Sequence, residues 1–144
     1  ITNQSIDPLT VETTMWQAFA KHAFKNLEVF DLFFWGKYKE YFGDTIYEYY
    51  QMFPEQWTRL NGLYTVVFFN NDLKERNRTI LTQAANAGYF KIEDVPFLAD
   101  LQCDFFHGML LDHKSTYRLP GVPEQAAERF MEALLSLQEH YRLK

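Results

Sequence analysis

One cysteine, Cys103, is the only thiol in the 144 residues. No disulfide can form within the chain, and a reducing compartment suits it. Long hydrophobic runs are missing too. The purest apolar stretch, residues 66–69, is far short of the roughly 20 residues of a spanning helix, which predicts a soluble chain with no membrane partner. Basic residues are outnumbered, 14 Lys and Arg against 19 Asp and Glu, for a net charge of -5. With a pI near 5.3 the chain repels phosphate backbones and is not by itself a nucleic-acid binder. No basic and apolar leader follows Ile1, so a secretory signal is not expected here, and a preceding segment stays open.

Catalytic signatures are also missing. There is no Gly-x-Ser-x-Gly elbow, no phosphate-binding glycine loop and no His-Glu-x-x-His pair, so no enzyme and no cofactor is expected. Cys103 has His107 one turn away, but on an apolar helix it reads as packing rather than as a nucleophile. No two alternating runs are joined by a hairpin dipeptide, and there is no repeat or low-complexity tract. What remains is an all-α chain of one domain, residues 1–144, large enough to bury a core unaided.

Aromatic residues are what the chain has in excess. Between Phe30 and Phe53 stand eleven rings in twenty-four residues, five of them tyrosines. Phe30, Phe34, Tyr38 and Tyr41 or Phe42 recur every three or four positions and would line one helix face. A buried phenol needs a hydrogen-bond partner, so this face is apolar with polar points, as the wall of a ligand pocket is.

The spacing predicts an antiparallel bundle of about six helices. Asp7 and Pro8 open the first, which runs to about Lys25, and Asn26 can cap a second from Leu27. Pro54 and Glu55 begin a third, carrying Trp57, Leu60, Leu63 or Tyr64, Val67 and Phe68, with Asn70, Asn71 and Asp72 as an interruption. The pattern resumes from Leu73 to Ala87, where Gly88 is placed to end it in the left-handed conformation. Asp94, Val95 and Pro96 open the next helix, to about His113. After the break at residues 119–123 the last runs from Pro123 to about Tyr141.

Two of these helices have more apolar surface than one core can use. On the helix from Val95, Leu98, Leu101, Phe105 and Met109 form one stripe, while Ala99, Cys103, Phe106 and Leu110 form another roughly 135° away. On the last helix Ala126, Ala127, Phe130, Met131, Leu134, Leu137 and Tyr141 spread over roughly 160°, wider than a usual core-facing stripe. The expectation is a homodimer in which these two helices meet their copies in a four-helix, two-fold interface. Its candidate residues are Phe105, Gly108, Met109, Phe130, Leu134, Leu137 and Tyr141. Gly108 costs about 1 kcal/mol in a helix interior, which close approach of a neighbour would justify.

Asp100, Cys103, Asp104 and His107 share one side of the same helix at metal-ligand spacing. Without a second cluster to complete a site they read as a polar strip beside the interface, and no metal is expected. His22, among Phe19, Ala23 and Phe24, is a weaker ligand contact. The mixed charges Asp72, Lys74, Glu75, Arg76 and Arg78 read as a solvated face.

Residues 80–90, Ile-Leu-Thr-Gln-Ala-Ala-Asn-Ala-Gly-Tyr-Phe, resemble the helix end and glycine turn of the regulatory domains of TetR/AcrR-family transcriptional regulators. Asp94 and the Phe106-His107-Gly108-Met109-Leu110 step are similar to the family's dimerising helix. Asp7-Pro8, the segment around Asn26 to Phe34 and the final helix look like its other landmarks. The resemblance implies a cytoplasmic homodimer that senses a small, largely apolar or amphipathic effector. It also implies that DNA is reached only through an N-terminal helix-turn-helix domain that this sequence does not contain. On that reading Trp16, Phe19, Phe34, Tyr38, Tyr64 and Phe68, from three successive helices, are the candidate pocket residues. The alternative is a free-standing helical carrier of hydrophobic molecules, which a helix-turn-helix upstream in the reading frame would exclude.

Overall fold

The computed structural model describes residues 7–35, 72–113 and 121–143. Tyr38, Tyr64, Phe68, the helix expected from Pro54 and most of the aromatic run lie outside these residues. The described chain is mostly helical. Its elements are α1 (Pro8–Lys25), α2 (Leu27–Phe34), α3 (Leu73–Asn86), a 3-10 turn (Ile92–Asp94), α4 (Val95–Asp112) and α5 (Val122–Tyr141). Among the described residues extended pairing amounts to one isolated bridge, Phe90 to Arg142.

Local chemistry explains the boundaries. The Asp7 carboxylate accepts a hydrogen bond from the Thr10 N–H at 3.0 Å, with Pro8 in the first turn. Asp72 does the same for the Glu75 N–H at 3.2 Å, so each carboxylate satisfies a donor the helix leaves free. Gly88 has φ +95°, the Gly88 N–H bonds to Ala85 O, and the Tyr89 N–H reaches back to Ala84 O. That pair of bonds is the Schellman ending, which needs a left-handed residue. No atom lies within 4 Å of where a Gly88 Cβ would stand, so the penalty of a side chain there is conformational alone. Gly88→Ala should lower unfolding stability by about 1 to 2 kcal/mol in urea titration, with no other change.

Asn26 differs from expectation. Its side-chain N–H donates to His22 O at 3.0 Å, and its own N–H bonds to Ala23 O and His22 O. It closes α1, and makes no side-chain cap for α2. An Asn side chain carries both donor and acceptor, and here the free carbonyls behind it won. Asp94 likewise precedes α4 without a side-chain cap, because it already belongs to the 3-10 turn.

Helix α1 packs against both α3 and α5, and α3 and α5 each pack on α4. Phe106 is the hub, fully buried, with the rings of Trp16, Phe19, Phe24 and Phe130 at 5.5, 5.1, 5.5 and 5.0 Å. A second apolar cluster, built on Leu81, Ala84, Phe90, Val95, Leu98 and Ala99, lies where the α3–α4 turn folds back. There Tyr89 donates its hydroxyl to Asp7 at 2.6 Å, and the Leu143 N–H bonds to Tyr89 O. Both ends of the described bundle are thereby tied to one turn.

Candidate functional site

The least expected feature is a polar cluster in the core. Glu12 of α1, Asn77 of α3, Gln102 of α4 and Gln138 of α5 are all buried, Glu12 to 1% exposure. Each stands in the apolar seam of its helix. Gln102 lies between Ala99 and Phe106, and Gln138 follows Leu134 by four, so helical spacing carries all four side chains to the centre. Asn77 Nδ2 donates to Glu12 Oε1 at 2.6 Å, while Gln102 Nε2 and Gln138 Nε2 both donate to Glu12 Oε2 at 2.9 Å. Gln102 also donates to Asn77 Oδ1 at 2.7 Å and accepts from Gln138 at 2.8 Å. One carboxylate thus joins four helices.

Burial pushes the Glu12 carboxyl up to about 7, against the opposing pull of the amide donors. Desolvation is the larger effect because no cation bonds to this carboxylate among the described residues. The Trp16 indole, one turn along α1, also favours its charged form. Even so, the buried Trp16 Nε1–H has no acceptor at hydrogen-bonding geometry.

Beside this cluster, between α1 and α3, is a cavity of about 40 Å³ lined by Glu12, Met15, Trp16, Phe19, Leu73, Arg76, Asn77 and Ile80. Arg76 is partly buried, its Nε wholly so and without an acceptor. The guanidinium lies over the Phe34 ring, 5.6 Å from its centroid, close enough for a cation–π contact. Burial brings its pKa down to about 10. The cavity therefore has a mixed lining, with Glu12, Arg76 and Asn77 among apolar side chains, and Trp16 and Arg76 of that lining each carry a buried N–H without an acceptor.

Three of the six expected pocket residues fall in the described chain, two in the cavity lining and one outside it. Trp16 and Phe19 line the cavity and Phe34 supports Arg76. Each also packs in the core, Phe19 edge-on to Phe34 at 5.1 Å and Trp16 against Phe130 at 5.2 Å. The polar lining was not expected. Arg76 sits inside the charge run that reads as a solvated face, and His22 is exposed.

The strip on α4 is divided among different partners. Asp100 pairs with Arg78 at 3.1 Å and Asp104 with Lys74 at 2.8 Å. His107 Nε2 lies 3.2 Å from Asp31 and its ring stacks on Trp35 at 4.1 Å. Cys103 is buried and its thiol is pushed up by desolvation, away from thiolate chemistry. No group of three or more potential ligands forms a metal site among the described residues.

The candidate interface residues separate into two sets. Phe130 and Leu134 are fully buried within the single chain, so they belong to its own core and have no surface to offer a partner. Phe105 is 40% exposed and Gly108 is exposed, while Met109, Leu137 and Tyr141 are half-buried. On α4, Phe97, Leu101, Phe105 and Gly108 fall within roughly 80° of one another at 100° per residue. Phe97 contacts Tyr141 and Phe105 stacks on Phe130, placing this face along the outer edge of the α4–α5 seam. No described helix is long and apolar enough to cross a membrane.

No family model matches the chain, and neither does any curated protein or solved structure.

Proposed function

We propose that this chain is the ligand-sensing and dimerising domain of a transcriptional regulator of the TetR/AcrR kind. The observation that carries ligand binding is the cavity between α1 and α3, lined by apolar and polar side chains, two of which, Trp16 and Arg76, carry a buried N–H without an acceptor. Leaving a buried donor unmet costs about 1 to 3 kcal/mol, a cost that a bound molecule would offset. The cavity wall is α1 and α3, and the dimer face is α4 and α5. Helices α1 and α3 join both through the Glu12 cluster, so a ligand wedged between them would bias how the outer helices sit. Two arrangements with different ligand affinity are enough to couple the sites.

Dimerisation rests on the exposed α4 face. A Cβ on Gly108 would meet no atom within 4 Å, so nothing within the described chain requires glycine there. A second copy approaching the helix backbone would. Phe105→Glu should convert dimer to monomer in sedimentation velocity while leaving helical content unchanged. A dimer that survives this change would remove the face from consideration. Native mass spectrometry of gently purified protein tests the sensing role, with a small organic molecule expected on the chain.

A further inference from the structure

We infer that the cavity between α1 and α3 takes a small apolar molecule ending in a carboxylate, which accepts hydrogen bonds from Arg76 and the Trp16 indole N–H. This rests on the ligand-binding reading above and adds the chemical class. The charges on α3 carry it. Lys74 and Arg78, two residues to either side of Arg76, each pair with an aspartate of α4. Arg76 has only the face of Phe34 among the described residues, although it is the more deeply placed of the three. Burying a cation without a counter-charge is costly, and burial lowers its pKa accordingly.

The neighbouring carboxylates are already in use. Glu12, on the same cavity wall, accepts from three amides, and Asp31 faces His107. Among the described residues no carboxylate bonds to Arg76, and the ligand would supply one. A guanidinium presents its N–H groups as a planar fork that fits a carboxylate, and an ionised acceptor makes the stronger bond. Trp16, whose indole N–H is a donor only, lines the same space. An ammonium head would meet Arg76 as a like charge. About 40 Å³ is room for a head group of roughly three or four heavy atoms, given the 10–15 Å³ one water needs on the same kind of measure. The apolar remainder, which that volume does not hold, would extend beyond the cavity.

Hexanoate, hexan-1-ol and hexylamine share one chain and differ in the head, so isothermal titration calorimetry of the three on the native protein separates the possibilities. Hexanoate should bind at least ten-fold more tightly than hexan-1-ol, and hexylamine should not bind. In Arg76→Gln, checked for native circular dichroism, hexanoate should fall to the affinity of the alcohol. If that variant does not fold, the comparison of heads on the native chain decides by itself. Equal affinity for hexanoate and hexan-1-ol, or preference for the amine, would overturn the carboxylate assignment and leave the ligand-binding reading standing. Failure of all three to bind would overturn both.

Discussion

Between pH 4.5 and pH 7 the folded chain should lose about 3 kcal/mol of stability, and Glu12→Gln should lose none of that amount. The Glu12 carboxyl is raised from 4.5 to about 7 by burial, so over this window the folded state keeps a proton that the unfolded chain has released. Stability is therefore greatest below pH 4.5 as far as this group is concerned, and falls until the folded carboxyl has also ionised. Above about 7 its contribution is flat. Urea midpoints at pH 5 and pH 8 measure the effect, and subtracting the Glu12→Gln curve removes the common titration of exposed groups. Parallel curves would mean that the carboxyl is not held as described.

The second large effect is at Phe106. Cutting it to alanine should cost about 3 to 5 kcal/mol, since the side chain is fully buried among five aromatic rings that cannot all close on the void. Its neighbour Phe105, 40% exposed, should cost under about 1 kcal/mol when cut the same way in the monomer. A domain with a typical stability of about 5 to 15 kcal/mol can be left close to unfolding by the first change alone. Denaturant titration of the two variants side by side checks the contrast. Similar losses would contradict the placement of α4.

Periodicity made the described helices readable almost to their ends. Pro8, Asp72, Gly88 and the break before α5 are backbone signals, and local chemistry decides them wherever the helices finally pack. The interior of α4 was readable as two stripes, but which stripe faces inward depends on neighbours that local sequence does not show. The inner one proved to be Ala99, Cys103, Phe106 and Leu110. Phe130 and Leu134 went to the core for the same reason, leaving Phe105 and Gly108 as the exposed candidates for the proposed dimer face.

The polar half of the site was hidden by composition. Glu12, Arg76, Asn77, Gln102 and Gln138 look like ordinary solvated residues, and Arg76 sits between charges that really are solvated. A signal existed nonetheless. Gln102 and Gln138 occupy seam positions three or four residues from buried apolar neighbours, where a polar side chain must find partners from other helices. Only the packing of four helices shows that all of them meet at Glu12.

Nitrogen-15 NMR of the Trp16 indole N–H, assigned by comparison with Trp16→Phe, probes the cavity at the atom that lacks an acceptor. During titration with a set of small apolar acids, alcohols and amines, at least one class should move this resonance downfield and saturate, while the Trp35 indole resonance stays in place. A Trp16 resonance unmoved by every class would show that the space between α1 and α3 is not a ligand site.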